Sequence, residues 1–142
     1  MWWMAIGWAM TVPQCTAADA ALPPPLAGWA RQGEGLDTRH AFTLPTRNGA
    51  AETRVTIRKA GIFGIATDQP GWVDVTRSTG RRLRMVSRDP ARPCAKIEKI
   101  VYYRLAPGIY RVSIGRLQAA RVKLMLVRGE RMRGFARSGR VG

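Results

Sequence analysis

This 142-residue chain is poor in the residues on which most enzymatic chemistry draws, with one histidine and two cysteines. With His40 alone, no two-His, one-carboxylate iron site can be assembled within one chain, and neither can a catalytic zinc with two or three His ligands. Ser78, Ser87 and Ser113 occur without a GxSxG turn, so a serine triad has no support. The glycines form neither GxGxxG nor GxxxxGK[ST], which removes the usual phosphate-cradling loops. Acidic residues are scarce too, nine against 24 basic ones. Those in the body, Glu52, Asp68, Asp74, Asp89 and Glu98, are too scattered for a calcium loop. No apolar run approaches the roughly 20 residues that span a bilayer. No cofactor is expected, and His40 reads as a polar residue at a strand start.

What the chain has in excess is positive charge, a net +15. Apart from Lys59, Lys96, Lys99 and Lys123, every basic side chain is Arg. Such a surface attracts nucleic acid, anionic lipid or acidic polymer through its summed field. An Arg-heavy, Lys-poor composition also follows from G- and C-rich codons without any partner. The only dense spots are Arg81, Arg82 and Arg84 and the closing "RGERMRGFARSGR". Neither interleaves aromatics as a single-strand stacking platform would, so nucleic acid is an unfavoured partner.

The start, "MWWMAIGWAM", is apolar, and "TAADAA" after it supplies small residues, as in an export signal. The basic opening of such a signal is missing, because no Lys or Arg precedes Arg31. Residues 1–14 therefore read as a clipped signal, and the protein is expected to be periplasmic or secreted. Cys15 and Cys94, an even pair in an oxidising compartment, are expected to form one disulfide. Cleavage after Ala18 or Ala20 would remove Cys15, so the bridge requires processing ahead of it. Closing a loop of about 80 residues contributes on the order of 4 kcal/mol in the chain-entropy model. With Cys94 bridged, it offers no thiolate nucleophile.

Residues 15–37 are too rich in Pro and Gly for regular structure and read as an irregular arm, docked by Trp29. From 38 to 128, short period-two segments separated by turn residues predict a single antiparallel β-sandwich of about eight strands, of Greek-key or jelly-roll type. The predicted strands are His40–Leu44, followed by a turn at Asn48-Gly49, then Glu52–Arg58, Gly61–Thr67, Trp72–Thr76, Arg81–Val86, Lys99–Leu105, Ile109–Ile114 and Arg121–Val127. In the fifth, Leu83 and Met85 point inward and Arg82 and Arg84 outward. Val101, Tyr103 and Leu105 share one face, as do Tyr110, Val112 and Ile114. In the last strand Val122, Leu124 and Leu126 face the core, against Arg121, Lys123 and Met125. The break Arg88–Cys94 is expected to cross between sheets, and residues 129–142 to be a basic, flexible tail.

The candidate ligand-binding residues are Trp72 and Asp74, an aromatic beside a carboxylate on the outer face of a strand, with Arg81, Arg82 and Arg84. A Trp and a carboxylate so placed can grip a sugar or a cationic group. The competing reading has Trp72 covered by the amino-terminal arm.

The ordered motifs "PPPLAGWA", "KAGIFGIATDQPGWVDVTR", "RPCAKIEKIVYYRLAPGIYRVSIG" and "ARVKLMLVR" resemble a group of small exported bacterial proteins. That group has a Cys near the mature start, a second Cys before an apolar strand, and an L-x-P-G-x-Y corner. The likeness runs from Cys15 to Arg128. The last strands are also similar to pre-peptidase carboxy-terminal β-sandwich domains, accessory modules of secreted enzymes. Some members of the small group carry the label homogentisate 1,2-dioxygenase, which would imply an iron enzyme. A chain whose only histidine is His40 does not supply that iron site, and "SRDPARPC" has no His where members have one before the second Cys. What carries over is structural: Cys15, Cys94 and the "APG" corner. The function expected is that of an exported, monomeric, non-catalytic module for an anionic envelope polymer or glycan. The alternatives are the dioxygenase and a nucleic-acid or acidic-polymer binder working through Arg81, Arg82, Arg84 and the tail.

Overall fold

The computed structural model describes Cys15, Thr16 and residues 21–129. The signal-like segment 1–14 and all but the first residue of the basic tail lie outside the described residues. Eight strands form: β1 (Phe42–Pro45), β2 (Ala51–Ile57), β3 (Gly61–Thr67), β4 (Trp72–Arg77), β5 (Ser87–Asp89), β6 (Lys99–Leu105), β7 (Gly108–Gly115) and β8 (Arg121–Arg128). They make a five-stranded sheet, β1-β8-β3-β6-β5, packed on a three-stranded one, β2-β7-β4, with every pairing antiparallel. The protein is an all-β sandwich.

The topology is that of one long hairpin rolled up. Phe42 faces Leu124, Ala51 faces Ile114 and Gly61 faces Leu105, so each early strand pairs with the late strand at the mirrored distance from a centre near Leu83. At that centre β4 is followed by a tight turn through Gly80, whose φ is +93°. The returning chain bridges β4 only at Thr76–Arg82. This nested order is a jelly roll in which the strand returning beside β4 has shrunk to a single bridge.

That shrinkage corrects the prediction of a strand over Arg81–Val86. Leu83 packs against the core, but Met85 is 50% exposed. Alternation alone did not make a strand, because no strand lies on the far side of this segment and, of its apolar side chains Leu83, Met85 and Val86, only Leu83 reaches the interior. The fifth strand is instead β5, Ser87–Asp89, which pairs with β6. The break at Arg88–Cys94 therefore stays within one sheet, and the crossing between sheets lies before it, between β4 and β5.

Between the sheets lies the main core, with Val55, Ile65, Val75, Leu105, Val112 and Leu124 among its buried members. The turns that set the register are where the sequence placed them. Asn48 and Gly49 take φ of 54° and 76°, and Arg47 and Ala50 exchange both backbone hydrogen bonds across them, a type I′ hairpin turn. At the "APG" corner Gly108 has φ +151°. The Tyr110 hydroxyl donates to the Ala106 carbonyl at 2.8 Å and accepts from the Ala106 amide at 2.9 Å. One buried side chain thus satisfies both backbone groups of the turn, as a tyrosine corner does.

A second core lies on the opposite face of the five-stranded sheet, a face the alternation assigned to solvent. Ala66, Ile100, Tyr102, Met125 and Val127 are buried there beneath Leu26 and Trp29 of the arm. The arm is not irregular throughout: Pro24–Ala30 form two turns of 3-10 helix, started by prolines whose fixed φ suits a helix entry and whose missing N–H is not needed there. Gly28 lies so close to the Arg39 backbone that a Cβ would come within 2.6 Å of it. Three attachments converge at one point. Cys15 is disulfide-bonded to Cys94, the Trp29 Nε1–H donates to the Ala95 carbonyl at 2.8 Å, and the Lys123 ammonium lies 4.3 Å from the Trp29 ring centre. Burial under the arm makes Lys123 give up its proton more readily, only partly offset by Asp68.

Candidate functional site

Five strands facing three leave the inner face of the larger sheet uncovered along its β5–β6 margin. This is where the reduced strand would have lain. Two adjoining hollows of about 630 and 270 Å³ occupy the margin and share Trp72, Arg88 and Lys99. The larger is also lined by Pro70, Gly71, Asp89, Glu98 and Arg116, the smaller by Asp74, Arg82, Met85 and Tyr103. Together they form one groove between the β4 edge and the β5–β6 face.

The β4 edge is held by side chains from across the groove. Its outward carbonyls recur at alternate residues, and each has a donor. The Lys99 ammonium donates to Gly71 O, the Tyr103 hydroxyl to Val73 O at 3.2 Å, and the Leu83 amide to Val75 O at 2.8 Å. An open edge that would otherwise invite another strand is thereby closed, while the space beside it stays open.

Trp72 stands at the lip, 57% exposed and opposite Gly115 of β7. Arg116 follows that glycine in a left-handed conformation, φ +59°. This turn lays its guanidinium 5.5 Å from the Trp72 ring centre, a cation–π contact that steadies the indole. Along the same strand as Trp72, half-buried Asp74 pairs with the exposed Arg82 at 3.7 Å. Burial, with a smaller effect of the Asp74 charge, pushes the Tyr103 hydroxyl up to about 12, so it stays a donor at neutral pH. Burial and then the neighbouring Arg88 charge lower the proton affinity of Lys99, against a weaker pull from Glu98.

Of the residues singled out from the sequence, Trp72, Asp74 and Arg82 are brought together here. Trp72 is not covered by the described part of the arm: it is 57% exposed, and the arm's Leu26 and Trp29 lie on the other face of the five-stranded sheet. Arg81 and Arg84 are exposed and outside the groove lining. Sequence reasoning missed Lys99, Arg88 and Arg116. Lys99 had a legible signal, because it falls in phase with Val101, Tyr103 and Leu105 and so points inward with them. Arg116 had none, since its place depends on the backbone turn after β7.

The single histidine lies outside the groove lining. His40 Nε2 faces two carbonyl oxygens, of Glu34 at 2.9 Å and Gly35 at 3.0 Å. It therefore carries the ring proton and ties down the arm's last turn. Among the described residues, no three His, Cys, Asp or Glu side chains gather to hold a metal ion, and no helix is long and apolar enough to cross a membrane. Comparison of the chain with models of known families, with characterised proteins and with solved structures returns no match, so the chemistry of the groove rests on its own geometry.

Proposed function

We propose that the protein is an exported, non-catalytic binding module that takes a glycan of the cell envelope in the groove between β4 and β5–β6. The observation that carries this reading is Trp72, an indole left open at the lip of a polar groove and backed by Arg116. A flat apolar ring beside fixed charged groups suits a sugar, whose C–H face stacks on aromatics while its hydroxyls bond to planar side chains. Asp74 paired with Arg82 presents an acceptor and a donor side by side for such hydroxyls. The Cys15–Cys94 bridge is in keeping with an oxidising compartment outside the cytoplasm.

Co-sedimentation with purified peptidoglycan sacculi, and affinity electrophoresis through gels containing extracted envelope polysaccharides, test this reading. Retention is expected for the wild-type protein and at least a tenfold loss for Trp72→Ala, with the melting temperature unchanged. Retention indifferent to Trp72→Ala, or turnover of a glycan or small substrate by the pure protein, overturns it.

A further inference from the structure

The larger hollow is lined by three cations, Arg88, Lys99 and Arg116, against two carboxylates, Asp89 and Glu98. In β6 the side chains of Val101, Tyr103 and Leu105 enter the main core, and Lys99 lies in the same phase of the strand. In β5, Arg88 is paired with Val101. Arg88 and Lys99 are therefore diagonal neighbours on the inner face of one sheet, at a spacing where long side chains converge on a common point. Arg116 enters from the opposite wall, over Trp72. None of the three has a carboxylate within ion-pair distance among the described residues.

The acidic groups nearby do not compensate. Asp89 faces Ile100, whose side chain belongs to the arm-covered face, and its carboxylate accepts from the Tyr102 hydroxyl at 3.0 Å on that side. Glu98 is exposed, and its pull on the Lys99 charge is weaker than the opposing effects of burial and Arg88. An ammonium has three protons to donate. Lys99 gives one to the neutral Gly71 carbonyl, leaving two for a ligand. Its partial burial beside Arg88 disfavours its own charge, a cost that an incoming anion would relieve.

We infer that this hollow is an oxyanion subsite and that the glycan taken by the groove is acidic. A carboxylate or phosphate on the sugar lies between Arg88 and Lys99 while the ring, or its neighbour, stacks at Trp72. The inference rests on the glycan reading above and narrows it to acidic saccharides. Arg88 can meet such a group with two parallel N–H donors and Lys99 with a point charge, the stronger kind of hydrogen bond.

Titration calorimetry with three probes separates the outcomes: an oligogalacturonate, its full methyl ester, and a phosphorylated mannan oligosaccharide. At least one acidic probe is expected to bind ten times or more tighter than the neutral ester, with the advantage shrinking as salt rises. Whichever acidic probe wins identifies the oxyanion. Lys99→Gln and Arg88→Gln are each expected to erase that advantage while leaving ester binding in place, whereas Trp72→Ala weakens all three. Arg88 is exposed, so Arg88→Gln keeps the test valid if Lys99→Gln disturbs the fold. If ester and acids bind alike, or if both Gln variants keep the preference, the subsite is refuted and the glycan reading stands. If neither acidic probe binds and the sacculi and envelope polysaccharides are not retained either, both fall.

Discussion

Alternate residues of a single strand, β6, meet two opposite solutions to an exposed sheet face. Ile100 and Tyr102 lie on the outer face, sealed beneath the arm into a second core. Lys99, Val101 and Tyr103 lie on the inner face, where the smaller sheet falls short and a groove stays open. The difference follows from side-chain chemistry. The outer face is apolar from β8 through β6, so leaving it wet would be costly, and a segment pinned by a disulfide, an indole hydrogen bond and a cation–π contact covers it. The inner margin ends in Lys99 and the Tyr103 hydroxyl, which bond to the opposing β4 edge and need no lid. One face is sealed by the arm, and the other holds the groove to which the proposed function assigns the ligand. Changes on the first should move the melting curve and leave glycan retention alone, and a change to an exposed residue of the second that makes no bond to the β4 edge, such as Trp72→Ala, should do the reverse.

The largest expected effect breaks the sealed face. Reducing the Cys15–Cys94 bridge, or replacing both cysteines by Ser, frees a loop closed over 79 residues, with a cost of about 4 kcal/mol by chain entropy. Guanidinium unfolding with and without reductant measures it. Glycan retention by the protein that stays folded should be unaltered. Next comes Trp29→Ala, expected to cost about 3 kcal/mol because a nearly buried indole leaves a void and the Ala95 carbonyl loses its donor. If either change abolishes glycan retention at a temperature where the protein is folded, the two faces are not independent.

How much of this was legible in the sequence depends on whether a residue's role is set by its neighbours along the chain. The hairpin turn at Asn48-Gly49, the corner at Pro107-Gly108 and the strands around Ile65, Val101, Val112 and Leu124 were readable, because turn chemistry and period-two alternation are local. Trp29 was readable as a docking residue, since an isolated indole in a Pro- and Gly-rich arm has little else to do. The second face of β3, β6 and β8 was misread: alternation marks a face as apolar but is silent about a covering segment from the far end of the chain. The same limit produced the false strand at Arg81–Val86 and hid Arg88 and Arg116, whose proximity to Trp72 exists only after the hairpin rolls up.

A smaller effect sharpens the open face. Tyr103→Phe removes the donor to Val73 O and should cost about 1 kcal/mol. It should also change the alkaline limb of stability. The hydroxyl is raised from 10.0 to about 12 in the folded protein, so the folded state holds its proton longer than the unfolded chain. The resulting stabilisation is complete below pH 10 and is lost as pH climbs towards 12. Melting temperatures of wild type and Tyr103→Phe should therefore converge across that window. Parallel curves would show that Tyr103 is not the group responsible.

The smallest effect lies where the arm passes from one face to the other, at Asp37. Leu36, just before it, is in the core between the sheets, whereas Trp29 is in the core beneath the arm. Asp37 accepts from the Arg39 amide at 2.9 Å and from its guanidinium at 3.2 Å, and its own carbonyl accepts from the Leu126 amide at 3.1 Å. The Arg39 side-chain hydrogen bond is the main reason the carboxyl is lowered from 3.8 to about 2, and burial works against it. A carboxylate depressed in the folded state stabilises it above pH 3.8, and that contribution disappears as pH falls through about 2. Because Arg39 is exposed, salt should weaken the effect. Asp37→Asn should leave the neutral-pH melting temperature within a degree or two of wild type yet flatten the acid limb between pH 4 and 2. If it instead lowers the melting temperature at neutral pH as far as Trp29→Ala does, the crossing turn itself holds the arm in place, and the three attachments around Cys94 and Ala95 are secondary.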